Sequence, residues 1–205
     1  MSKYFKYIID HPEIDRADLR LICRCAPRAG RILDIGCGRG SFLMTLRKVI
    51  KEWAMNFEGR GIDIDSDVVS YCKQKGLAVT LGDGTKTKFK SGTFDVVRAK
   101  EVLEHLHEPE KLIIESKRIL KKDGLLVLHV PTQYSTIYPL VNFWDDYTHV
   151  RPFTKTAINR LLLVSGFRII KIEGYTIGRN WIENIICRIL AIFLPFEWRV
   201  VARKN

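Results

Sequence analysis

The sequence predicts an α/β fold, a mostly parallel sheet with helices on both faces. Short, largely apolar runs such as Arg31 to Ile35, Phe94 to Val97 and Leu125 to Val130 alternate with longer amphipathic stretches. A glycine-rich turn, Gly36-Cys37-Gly38-Arg39-Gly40, joins the first of these runs to the amphipathic stretch after it. Strands this apolar are buried on both faces, which a parallel sheet between helix layers requires. No repeat, low-complexity run or Gly/Ser linker divides the 205 residues, so 1–205 reads as a single domain.

Residues 1–30 read as an N-terminal helical cap. His11-Pro12-Glu13 is a helix start with proline at the first helical position, and Ile14, Ala17, Leu21, Ile22 and Cys25 share a face. Pro27 to Gly30 should end that helix. Arg31 to Ile35 is a buried strand, followed by the glycine turn and a helix from Phe42 to Lys51. Gly61 to Asp65 ends a second strand, Ser66 caps a helix reaching about Lys75, and Ala78 to Leu81 is a third strand. Phe94 to Val97 is the fourth strand, Pro109 to Leu120 a helix, and Leu125 to Val130 a fifth strand that stops at Pro131. Thr154 to Ser165 reads as a helix closed by Gly166, Phe167 to Glu173 as a strand, Trp181 to Leu194 as a helix and Trp198 to Ala202 as the last strand.

Charge is unevenly spread. The chain carries 34 Lys and Arg against 23 Asp and Glu; residues 1–150 hold 24 and 20 of these, residues 151–205 hold 10 and 3. That asymmetry favours an anionic partner near the C-terminal quarter, whether a phospholipid headgroup, a phosphorylated substrate or nucleic acid, although a merely soluble basic surface would look the same. The five cysteines are irregularly spaced in a chain able to build its own core, so a disulfide framework is not expected and a reducing compartment is. Cys23 and Cys25 are too close for a usual zinc knuckle and read as helix residues. Asp10, Glu13 and Asp15 interrupt the N-terminal stretch where a secretory signal would be continuously apolar, so the expected location is the cytoplasm.

The glycine turn follows a strand and precedes a helix, which puts backbone N–H groups and a helix N-terminus at the carboxyl edge of the sheet. A nucleotide-like ligand is expected there. The spacing is Gly-x-Gly-x-Gly, unlike the Gly-x-Gly-x-x-Gly of dinucleotide sites, and Asp34 lies inside the strand beside the turn. Asp63 falls at the end of the second strand, where a carboxylate can accept both hydroxyls of a ribose. Asp83 falls two residues after the third strand, where it can accept an exocyclic amine of adenine. Each acid alone reads first as a turn residue or helix cap, but together with the turn they converge on one crevice.

The set LDIGCGRGSF, GIDID, LGDG, FDVVRAKEVLEHL and LKKDGLLVLHVPT resembles the class I S-adenosylmethionine-dependent methyltransferases over about residues 30 to 170. The resemblance implies a Rossmann-like sheet of seven strands with the last antiparallel, a number the strands above supply. It also implies that Gly36, Gly38 and Gly40 with Asp34 hold the methionine end of S-adenosylmethionine, that Asp63 binds its ribose and that Asp83 binds its adenine.

After Val97 the chain reads Arg98-Ala-Lys-Glu101. It lacks both the Asn/Asp-Pro-Pro-aromatic signature of amino-methylating DNA enzymes and the Pro-Cys of cytosine C5 enzymes, whose mechanism needs a thiolate. Oxygen or small-molecule chemistry is the better expectation. Glu101, Glu104 and His105 can face one site on a helical turn, and that mix of oxygen and nitrogen donors suits a divalent cation. The segment is similar to the Glu-x-x-Glu-His of the ubiquinone-biosynthesis O-methyltransferases and of the small-RNA 3′-terminal ribose methyltransferases. The resemblance implies that these side chains, with His149 as the downstream histidine, hold magnesium or a related divalent metal. Without a metal, His149 or Asp145 is a candidate base toward a substrate hydroxyl; the competing reading makes His149 a cap for the helix that starts near Thr154.

Residues 132–153 form the least regular stretch and contain Tyr134, Tyr138, Phe143, Trp144, Tyr147 and Phe153. Placed after the fifth strand, it reads as an aromatic lid or acceptor segment, with a small hydrophobic cluster under a loop as the alternative. Residues 180–205 supply a C-terminal helix and strand. The helix is too short to span a bilayer, yet its wide apolar arc, within 180–194, suits the sheet, a homodimer contact or a peripheral membrane contact. The whole reads as a methyltransferase acting on an oxygen of a small or lipid-linked anionic metabolite. An RNA methyltransferase and a non-catalytic cofactor-binding interaction subunit are the alternatives, and no basic-aromatic stripe favours the nucleic acid.

Overall fold

The computed structural model describes residues 12–26, 29–138, 142–176 and 193–205. In chain order the elements are α1 (Pro12–Cys25), β1 (Ala29–Ile35), α2 (Ser41–Glu52), β2 (Asn56–Asp63), α3 (Ser66–Gln74), β3 (Val79–Leu81) and β4 (Phe94–Lys100). They continue with α4 (Pro109–Ile119), β5 (Leu120–Pro131), α5 (Lys155–Val164), β6 (Phe167–Tyr175) and β7 (Glu197–Lys204). The seven strands form one sheet in the order β3-β2-β1-β4-β5-β7-β6. The pairs among β1 to β5 are parallel, and β7 runs antiparallel to both β5 and β6. Chain order reverses between β1 and β4, and a sheet of this kind binds its ligand in the crevice outside the carboxyl ends of such strands.

Period-two alternation along the central strands explains the two cores. Ile32, Val96 and Val127 point to one face and pack with Leu19 and Ile22 of α1, Phe42, Leu46 and Val49 of α2, and Val68 and Cys72 of α3. Leu33, Val97, Leu126 and Leu128 point to the other face, against Leu112 and Ile113 of α4 and Ile158 and Leu162 of α5. Each helix therefore spends its apolar stripe on the sheet.

Three expectations are revised. The inward arc of α1 is Ile14, Asp15, Asp18, Leu19 and Ile22, while Ala17, Leu21 and Cys25 are only partly buried. Two carboxylates turn inward because a buried guanidinium on β4 receives them. Helix α3 is capped by Asp65, whose side chain accepts from the N–H groups of Asp67 and Val68, and Ser66 is its first residue. Strand β5 begins at Leu120, five residues early, because Phe94 pairs with Leu120 across an irregularity in the β4 ladder. The predicted helix Trp181 to Leu194, with its membrane or dimer surface, lies outside the described residues except at its last two positions. Among the described residues no helix is long and apolar enough to cross a membrane.

Candidate active site

Strand β1 ends at Ile35, and Gly36, Gly38 and Gly40 all adopt positive φ, at 66, 49 and 77°. Only glycine enters that region without steric cost, so the turn can fold tightly before α2. A Cβ on Gly36 would lie 2.5 Å from Val102 Cγ2, so the residues after β4 press against the turn. The Gly38 N–H donates to Asp63 Oδ2 at 3.0 Å, and Asp65 N–H donates to Asp63 Oδ1 at 3.0 Å. Asp63 is half-buried, and burial raises its proton affinity against the pull of these N–H groups. The carboxylate at the end of β2 thus ties the glycine turn to the neighbouring strand. Asp83 is exposed and folds its own turn, accepting from Thr85 N–H and Thr85 Oγ1 at 2.7 Å. Ile64 and Leu81, both largely exposed, offer apolar surface beside these two acids.

Asp34 lies beneath the turn, buried, with its carboxylate 3.0 Å from Arg98 Nη1. The same guanidinium donates through Nε to Asp18 at 2.7 Å and through Nη2 to Asp15 at 2.9 Å, and it stacks 4.5 Å over the Phe42 ring. Asp15 also accepts from Ser41 Oγ, the first residue of α2, at 2.6 Å. Burial raises Asp34 to about 7 against the opposing charge of Arg98, with Asp15 and Asp18 adding to the rise. Burial works the same way on Asp18, but the charges of His129 and Arg98 overcome it and hold that carboxyl well below the usual range.

At the end of β4, Glu101 takes a positive φ of 54° and Leu103–His105 forms one 3-10 turn in place of an α-helical one. That geometry separates the predicted ligands. Ligand atoms of Glu104, His105 and His149 all lie within 4.8 Å of one another. Glu101 is outside this group: its side chain is 44% exposed and pairs with Lys100 Nζ at 2.8 Å. Glu104 is 0% exposed, and among the described residues neither carboxylate oxygen has a hydrogen-bond partner. Burial, together with the charges of Glu101 and Glu197, raises its proton affinity well above the usual range. The His105 and His149 rings are 4.7 Å apart, and burial followed by His149 lowers the proton affinity of His105. A buried, unpartnered carboxylate beside two imidazoles is a donor set that a divalent cation fits.

His149 is fixed by its ring stacking 4.4 Å from Phe143 and by Nδ1, 2.6 Å from the Phe143 carbonyl. The cap of α5 is Thr154, so His149 is not one. Asp145 completes a capping box, accepting from the Asn142 N–H at 2.7 Å. Within the aromatic segment, Phe143 and Phe153 are buried, while Trp144 and Tyr147 are 57% and 91% exposed. Thr132 forms a bridge with Phe153, which closes the base of the segment.

Sequence reasoning missed the polar residues behind this edge, the buried Asp15, Asp18, Arg98, His129 and Glu197 and the partly buried Tyr175. The readable signals were an arginine within the otherwise apolar β4 and two aspartates spaced i, i+3 on the apolar side of α1.

The family profile of a methyltransferase domain matches residues 11–172. An uncharacterized protein of Methanocaldococcus jannaschii is 28% identical over 129 residues, which is 63% of this chain and 58% of that one. A ubiquinone biosynthesis O-methyltransferase of Haemophilus ducreyi is 30% identical over 131 residues, 57% of this chain and 52% of the other. The chain spans about half the length of the curated relatives it matches. A solved structure of a SAM-dependent methyltransferase from Archaeoglobus fulgidus has a TM-score of 0.71 to this chain at 26% identity, covering 95% of both.

Proposed function

Because the chain belongs to the S-adenosylmethionine-dependent methyltransferases, we propose that it transfers the methyl group to an oxygen of a small or lipid-linked anionic acceptor. The observation that carries this reading is the unpartnered Glu104 carboxylate beside His105 and His149, on the segment whose Val102 presses against Gly36. Such a donor set suits a divalent cation that two oxygens of an acceptor would complete. S-adenosylmethionine supplies an already activated methyl group, so the protein's work is alignment and proton management. Gly36, Gly38, Gly40, Asp34, Asp63 and Asp83 bind it in this reading. Glu104, His105 and His149 would hold magnesium, manganese or zinc, and such an ion would lower the proton affinity of an acceptor hydroxyl. The exposed Trp144 and Tyr147 of the aromatic segment cover the acceptor. The basic excess of residues 151–205 favours an anionic molecule.

The test uses the full chain with S-adenosylmethionine labelled in its methyl group. It is offered hydroxybenzoates, a hydroxylated lipid phosphate, amines and a short RNA, each with and without chelator. Label on oxygen of an anionic hydroxylated probe is expected. Label on RNA or on an amine would overturn the acceptor class, and tighter binding of NADH than of S-adenosylmethionine would overturn the cofactor.

A further inference from the structure

Behind the carboxyl edge of the sheet a line of buried and partly buried hydrogen bonds crosses four elements. Glu197, the first residue of β7, pairs with Pro131 at the carboxyl end of β5 and with Tyr175 at the end of β6. The Tyr175 hydroxyl contacts Glu197 Oε2 on one side and lies 2.7 Å from His129 Nδ1 on the other. His129 Nε2 lies 3.0 Å from Asp18 Oδ1 of α1. His129 and Asp18 are fully buried, Glu197 is nearly so and Tyr175 is partly buried, and Glu197 is also hydrogen-bonded to the exposed Glu101.

Counting protons along this line forces a choice. Asp18 is a carboxylate and only accepts, so Nε2 of His129 carries a hydrogen and donates to it. A tyrosine hydroxyl has one hydrogen and cannot donate to both His129 and Glu197. Either Glu197 is a carboxylic acid that donates to Tyr175 while Tyr175 donates to a neutral His129, or an imidazolium His129 donates to Tyr175 while Tyr175 donates to Glu197. The two arrangements differ by one proton moved through one hydroxyl.

We propose that Glu197, Tyr175 and His129, backed by Asp18, are a proton relay that withdraws the acceptor's proton from the methyl-transfer site. This rests on the oxygen-methylation reading above. The acceptor oxygen's lone pair forms the new bond to the methyl carbon, and the carbon–sulfur pair returns to sulfur. The acceptor O–H proton passes to the exposed Glu101 carboxylate and through its hydrogen bond to Glu197, as the Glu197 Oε2 proton moves to Tyr175 and the Tyr175 proton moves to His129 Nδ1. One proton has left the acceptor and one has arrived on His129, where the Asp18 carboxylate balances the imidazolium; the same path returns it through Glu101 to solvent when product leaves.

The surroundings favour the first arrangement at rest. Burial and then Glu101 raise Glu197 to about 8, against the pull of Lys100, and burial lowers His129. The charged groups facing the line are Asp18 on α1, Arg98, Lys100 and Glu101 at the end of β4, Glu104 in the turn after it, and Glu173 and Arg199 on β6 and β7. Arg199 stacks 5.1 Å over the Tyr175 ring and lies 3.6 Å from Asp18, which discourages a permanent charge on His129.

The experiment uses the full chain carrying 15N-labelled histidine, as wild type, Glu197→Gln and Tyr175→Phe. A glutamine still donates to Tyr175 but passes no proton, so the fold and S-adenosylmethionine affinity should persist. NMR should show His129 as the Nε2–H form at neutral pH, with its protonation shifted in both variants. With 3,4-dihydroxybenzoate as probe, both variants should lose about ten- to a hundredfold in kcat with a flattened pH profile and unchanged KM for S-adenosylmethionine. His129 titrating identically in all three proteins would overturn the relay, as would variants that keep kcat and pH profile. If the wild type binds S-adenosylmethionine and methylates no hydroxylated probe, the oxygen reading falls, and the NMR titration alone then decides whether the relay exists.

Discussion

Replacing Arg98 with methionine keeps an unbranched stem and removes the one guanidinium that Asp15, Asp18 and Asp34 share. Those three bonds measure 2.9, 2.7 and 3.0 Å between side chains that are almost wholly buried. Removing one partner of a buried ion pair costs about 3 to 5 kcal/mol, because the charge left behind is uncompensated. Asp18 retains His129 and Arg199, so the loss falls mainly on Asp15 and Asp34. With a urea dependence of about 2 kcal/mol per molar, the unfolding midpoint should drop by about 2 M. The deficit should also depend on pH. Burial already raises Asp15 and Asp34 above the ordinary value of 3.8, and without Arg98 both bind protons more tightly still. The folded variant then holds protons that the unfolded chain has released, so its stability falls as pH rises above about 4. Urea titrations of wild type and Arg98→Met at pH 5.5 and pH 8 should show the larger gap at pH 8. A gap below about 1 kcal/mol, or one that does not change with pH, would refute the view that Arg98 is the electrostatic hub joining α1 to the glycine turn.

Asp63→Ala should weaken S-adenosylmethionine binding by about 1 to 3 kcal/mol in calorimetry, since it removes the proposed ribose acceptor and the anchor of the Gly38 N–H; equal affinity for wild type and variant would remove Asp63 from the site. Phe143→Ala should cost about 3 to 5 kcal/mol by chemical denaturation because its ring is buried and stacks on His149. Trp144→Ala should leave stability within about 0.5 kcal/mol and cofactor affinity unchanged while impairing turnover of an accepted probe. In metal-free protein Glu104→Gln should raise stability at pH 8 by about 1 to 3 kcal/mol. The raised proton affinity of Glu104 makes wild-type stability fall as pH rises above about 4.5; the same change should abolish manganese binding in calorimetry if Glu104, His105 and His149 are ligands.

Most of the fold could be read from the sequence because its signals are local. Seven strand runs, the proline that opens α1, the threonine that caps α5 and the glycine that closes it each act within a few residues. The glycine turn was legible for the same reason: three positive φ angles in five residues admit almost nothing else. Asp63 and Asp83 stand where strand ends converge at one sheet edge, a placement this topology imposes. Asp83 closes its own turn with Thr85, the role the sequence suggests first for an acid taken alone.

The polar interior was decided only by tertiary structure. Asp15 and Asp18 face inward because β4 carries Arg98 opposite them, across a separation of about eighty residues. The meeting of His129, Tyr175 and Glu197 depends on β7 inserting between β5 and β6. Glu101 parted from Glu104 and His105 because the chain leaves β4 through a left-handed residue and a 3-10 turn, and the helical spacing that would align all three does not form. Periodicity and turn chemistry are properties of neighbouring residues, and the sequence by itself determines them. A buried charge is tolerated only where distant elements bring it a partner, so the network beneath the glycine turn exists only once the sheet has closed on α1.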